Sequence, residues 1–301
     1  GPLTLWVRSG EYNFPTVGSD DRELVDAIDI GDAQGDAATL GSGLTPLYLT
    51  YRHYPVDDPK VTGAYGEWKD YNAYSDFISS EGVPVFYARV DHVSVPLAKE
   101  GTGQVVVDFT PEPLTQDVSF VFHIEKTADV VVDSLTAEIS GIPSTMELTT
   151  GLILAQKTYK LLFRPTYAAL PSAADSASAE ALRCEASVNI PGIVRSHTED
   201  MVTGPGILQI AIYTHYDYEE EGTQRKAAKV FHAGINLYHT LKERKSLQWD
   251  EEENGYRQAS RSITVEIGSP LNIDKDGILN GGSTSTGLDQ WIPGETFEIE
   301  V

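Results

Sequence analysis

The chain has 301 residues, a formal net charge of −23, 41% hydrophobic and 22% charged residues, and one cysteine. Its 45 acidic against 22 basic side chains repel phosphate backbones, which argues against nucleic acid as a partner. Cys184 alone excludes an internal disulfide and a thiolate metal cluster, and no apolar run approaches the ~18 residues of a membrane span.

The length suits about two domains of ~150 residues or one large all-β domain. The opening Gly1-Pro2-Leu3 carries neither a charged nor an apolar leader region, so a signal peptide is expected to be absent or already removed. In chain order, β-branched or aromatic runs predict strands at "LTLWV" (3–7), "LYLTY" (47–51), "PVFYARV" (84–90) and "QVVVDF" (104–109). Between them, helical spacing predicts short helices over 20–29 and 71–82. Residues 117–126, "DVSFVFHIEK", place Val118, Phe120, Phe122 and Ile124 on one face, the mark of a half-buried strand.

Further strands are predicted at 130–139 and 159–163, and then the small-residue tract 167–182 reads as a linker or a long loop. A domain boundary is therefore expected near Arg164-Pro165, giving residues 1–165 and 166–301. The second half continues with strands at 182–190, 207–214 and 262–267, and closes on "FEIEV" (297–301). Many short strands and few helices predict an all-β protein of packed sheets.

Candidate sites are sparse. On a strand, residues two apart share a face, so His215 with Asp217, or His123 with Glu125, have metal-ligand spacing, although neither pair has a visible third partner. Asn272 to Gly277 nearly fits the start of a calcium loop, but its twelfth position is Ser283 where a bidentate Glu is needed. Asp274 and Asp276 are thus candidates for a low-affinity contact and otherwise form a polar turn. Acidic runs Glu219–Glu221 and Asp250–Glu253, beside Gly222 and Asn254-Gly255, read as exposed hairpin tips.

The stretch 51–74 concentrates aromatic side chains, among them Tyr54, Tyr65, Trp68 and Tyr71; exposed aromatics stack on sugar rings or fill partner pockets, whereas buried ones fold over a sandwich end. Cys184 falls on the apolar face of its strand and reads as a small buried hydrophobe. No nucleophile elbow, dinucleotide fingerprint or phosphate loop occurs, so neither catalysis nor a cofactor is expected.

Three places, "VRSGEYNF" (7–14), residues 117–151 with their "SGIPS" loop, and the strands expected at 203–214, 231–241 and 264–273, resemble the fimbrillin superfamily of Bacteroidales surface fimbriae, in particular its FimB-like anchor and tip subunits. The resemblance implies two tandem transthyretin-like Greek-key β-sandwiches. It also implies a non-catalytic fimbrial subunit at the cell surface and outer membrane, with other fimbrial subunits as partners and attachment through a lipid upstream of this chain. Assembly in such subunits proceeds by β-strand pairing, for which Phe297, Ile299 and Val301 have the required alternation. The alternative is a glycan-binding module that uses the aromatic stretch 51–74, with a host glycan or protein as ligand.

Overall fold

In a computed structural model, the structure describes residues 10–19, 28–31, 48–54, 77–78, 85–95, 106–147, 151–170, 179–192, 206–244, 247–251, 255–258, 261–279 and 291–299. The first strands are β1 (Gly10–Ser19), β2 (Ile28–Gly31), β3 (Tyr48–Tyr51), β4 (His53–Tyr54), β5 (Phe77–Ile78), β6 (Val85–Val95) and β7 (Glu112–Pro113). Next come β8 (Gln116–Thr127), β9 (Val130–Glu147), β10 (Leu152–Phe163), β11 (Thr166–Ala169), β12 (Ala179–Ile190), β13 (Ile207–Glu220) and β14 (Thr223–Asn236). A short helix, α1 (Tyr238–Glu243), precedes β15 (Leu247–Asp250), β16 (Gly255–Gln258), β17 (Ser262–Glu266), β18 (Leu271–Ile273) and β19 (Ile292–Ile299).

Two sheets form the body. One runs β15-β16-β10-β9-β13-β14-β19, with β3 added to β9 and β5 to β10; the other runs β11-β12-β8-β17, with β18 also on β8. A third, smaller sheet joins β1, β6 and β7. The chain crosses between the two main sheets at the β8–β9 corner and again after β10, β12, β16 and β18, as a sandwich requires.

Alternation decides which side chains fill the space between the sheets. Along β8 the even-numbered Val118, Phe120, Phe122 and Ile124 are fully buried, and they share one cluster with Ile139 and Leu161, Ile210 and Ile212, and Phe231 of the facing sheet. Phe120 stacks on Phe163 across that space at 5.7 Å. At 1.5–3 kcal/mol for each such side chain, roughly, this interleaved layer is the main source of stability. At one side, the Tyr167 hydroxyl on β11 reaches across to donate to the Val132 carbonyl at 2.8 Å, tying the sheets together.

Residue 165 does not separate two sandwiches. β8 pairs along its whole length with β12, β9 pairs with β13, and the core draws on both sides of the expected boundary. The described ends of the tract 167–182 belong to paired strands rather than to a linker between domains, since Thr166–Ala169 lies antiparallel to residues 182–185. Ala168 and Ala169 sit on the exposed edge strand β11, which needs no large apolar side chains.

Other expectations also change. Residues 106–109 of the predicted strand at 104–109 form no strand, and Val106 and Phe109 are exposed. Ile28–Gly31 and Phe77–Ile78, within or beside the two predicted helices, are strands held by β3 and β10. The "SGIPS" segment is no loop but the middle of the 18-residue β9, where Gly141 takes φ 83° and the register with β10 shifts. Residues 238–243, which overlap the end of the expected strand at 231–241, are helical; the Asn236 side chain accepts from the Tyr238 amide at 3.0 Å and caps the first turn.

Candidate functional site

The edge formed by β14 and β19 is the best-defined candidate. β19 adds antiparallel to β14, with Phe297 opposite Val230 and Ile299 opposite Ala228, and no described strand lies beyond it. Residues 292–299 thus form a strand that pairs within its own chain; Val301 lies outside the described residues. Trp291, 3% exposed, fixes the entry to this strand: its ring meets Phe122 edge-on at 5.7 Å, and its indole N–H donates to the Ser269 carbonyl at 3.0 Å. Ser269 lies in the break where β17 ends and β18 begins, both parallel to β8, so the indole fills the gap that this interruption leaves.

Beyond this edge, β13 and β14 continue as a ribbon. Pairing of β13 with β9 ends at Tyr216, the described pairing of β14 with β19 reaches Ala228, and β13 and β14 pair with each other as far as Glu220 and Thr223. Glu219–Glu221 is indeed the tip. Glu221 and Gly222 both have positive φ, 52° and 77°, as a two-residue type I′ turn demands.

The candidate calcium loop is a turn built around one carboxylate. Asp274 Oδ1 accepts from the amides of Asp276 and Gly277, both at 2.8 Å, while Ile273 bridges Ile278. Lys229 on β14 donates to the Lys275 carbonyl at 2.9 Å, so the turn is pinned to the other sheet. With Oδ1 turned onto its own backbone, Asp274 has half of its carboxylate already engaged.

His215 does not pair with Asp217; its Nδ1 lies 2.8 Å from Asp133 Oδ1 on β9. His123 and Glu125 lie on the face of β8 turned away from the core. Among the described residues no three His, Cys, Asp or Glu side chains gather into a metal-sized group. Cys184 is buried, and burial pushes its thiol up to about 12.

Of the aromatic stretch, Tyr65, Trp68 and Tyr71 lie outside the described residues. Of its described beginning, Tyr51 is buried and Tyr54 half-buried, while Arg52 and His53 are exposed. Tyr51 is 1% exposed with its hydroxyl pushed up by burial, His53 stacks on Tyr159 at 3.9 Å, and Tyr54 packs against the cluster of Phe77, Ala211 and Val230.

That small cluster belongs to the outer face of the larger sheet, which holds a feature the alternation rule misses. Lys160 on β10 and Glu138 on β9 are both essentially inaccessible and form an ion pair of 3.1 Å. Gln209, directly opposite Glu138, is also buried. Burial pushes the Glu138 carboxyl up from the ordinary range, and the Lys160 ammonium opposes that rise.

No protein-family model matches the chain, and no curated protein matches it. Two solved structures are similar to it: a candidate adhesin from Bacteroides ovatus, at 11% identity and a TM-score of 0.43, over 89% of this chain and 76% of that one; and another from Bacteroides thetaiotaomicron, at 12% identity and a TM-score of 0.44, over 93% and 76%.

Proposed function

We propose that the chain is a non-catalytic subunit of the cell surface that acts in adhesion and in assembly of a fimbria-like polymer, with a transthyretin-like Greek-key sandwich as its body. The observation that carries this reading is the placement of β19: a strand at the outer edge of a sheet, joined among the described strands to β14 alone. Such a strand can leave without opening the core layer, and the edge it vacates offers the main-chain groups that a neighbour's last strand would fill. The partners are other subunits of the same polymer, and the location is the cell surface and outer membrane.

A direct test removes residues 292–301 and adds them back as a labelled peptide. Saturable binding that a peptide with Phe297 and Ile299 changed to Asp lacks is the expected result. No binding to a shortened chain that retains its β circular dichroism would defeat the assembly reading. Antibody labelling of intact cells tests the location, which signal from lysed cells alone would contradict.

A further inference from the structure

We propose that Lys160 and Gln209 are joined by an internal amide bond, formed once after folding with Glu138 relaying the protons. Three adjacent strands, β10, β9 and β13, bring these side chains to the same face of the sheet, and Lys160, Glu138 and Gln209 are 0%, 1% and 7% exposed. Lys160 Nζ is 3.1 Å from Glu138 Oε1. The other Glu138 oxygen, Oε2, and the Gln209 carbonyl oxygen, Oε1, are both buried without a hydrogen-bond partner among the described residues. They belong to register neighbours, Gln209 lying opposite Glu138.

Two unpaired acceptors on neighbouring buried side chains are costly, at about 1–3 kcal/mol each. A single proton resolves both. If Lys160 gives its proton to Glu138, the acid can donate from Oε2 to Gln209 Oε1, and the amine left behind is a neutral nucleophile. Burial raises the hold of the Glu138 carboxyl on that proton, while the Phe77 ring, 6.0 Å from Nζ, stabilises the ammonium and opposes the transfer. β10 and β13 stand about 10 Å apart across β9, a span that a lysine and a glutamine leaning toward each other can close.

The reaction balances without an oxidant or a co-reactant. The Lys160 amine attacks Gln209 Cδ while Glu138 protonates the carbonyl oxygen. The tetrahedral centre then collapses, its Cδ–Nε2 bond breaks, and the leaving nitrogen departs as ammonium with protons returned through Glu138. One Lys–Gln amide and one ammonium replace one lysine ammonium and one glutamine amide, and Glu138 is regenerated. The product ties three central strands together, a useful property in a surface protein, but the inference stands apart from the assembly reading.

Intact mass of the denatured full chain decides the matter without any variant. The expected mass is about 17 Da below that of the sequence, the loss of one ammonia. Digestion should yield a branched peptide joining Lys160, resistant to trypsin, to Gln209. Lys160→Met and Glu138→Gln should each restore the mass calculated for their own sequences. A wild-type mass equal to that of the sequence overturns the proposal, and a loss of about 18 Da mapped to Lys160 and Glu138 overturns the assignment to Gln209.

Discussion

Trp291 is where stability and the last strand meet, and replacing it tests both. The side chain is 97% buried by its 3% exposure, makes one hydrogen bond to Ser269, and packs edge-on to Phe122 at the centre of the smaller sheet. A buried tryptophan removes roughly 150–250 Å² from water, and truncating one to alanine costs about 3–5 kcal/mol once the cavity is included. Trp291→Phe keeps most of the apolar contact and loses the hydrogen bond, for about 1–2 kcal/mol. Equilibrium urea unfolding, followed by far-ultraviolet circular dichroism, gives both values from shifts of the midpoint at constant slope. Because Trp291 immediately precedes β19, the alanine variant should also make residues 292–299 more open to amide exchange than β8. A cost below about 1 kcal/mol for Trp291→Ala would refute the packing argument.

The remaining expectations are smaller or simpler to read. Glu221→Asn places a residue suited to positive φ before Gly222 and should stabilise the ribbon by about 0.5–1 kcal/mol; thermal unfolding that shows a loss would count against the turn assignment. Asp274→Ala removes the acceptor of two backbone amides and should cost about 1 kcal/mol, while calcium should leave the wild-type Tm unchanged; a calcium-dependent rise abolished by this substitution would restore the metal reading. Cys184, with its thiol pushed up to about 12, should resist a maleimide at neutral pH until the chain unfolds, and rapid labelling of the native protein would contradict its burial.

Much of the strand pattern was legible because period-two alternation is local. Phe120 and Phe122 announce their face through neighbours two residues away, and β8, β12 and β17 follow from such runs. Pairing partners are not local. The chain returns β12 to β8 and β13 to β9, and nothing in the small-residue tract 167–182 distinguishes a hairpin connection from a linker between domains. Alternation also assigns Lys160 and Glu138 to a polar, solvent-facing side of their strands. They are buried because the outer face of that sheet is covered too, a fact set by distant parts of the chain. The aspartate turn was readable, since Asp, Asp and Gly at this spacing favour an Asx-type turn; that Lys229 would reach it from β14 was not.

The central claim, that β19 exchanges between copies, is tested most directly with cysteines at one register pair in a Cys184→Ser background. Val230→Cys and Phe297→Cys stand opposite each other on β14 and β19. Chains that carry one substitution each, mixed under assembly conditions and oxidised, should yield disulfide-linked dimers that join position 230 of one copy to position 297 of another. If the mixture stays monomeric, while a chain carrying both substitutions closes its own disulfide, the last strand remains at home and the assembly account is wrong.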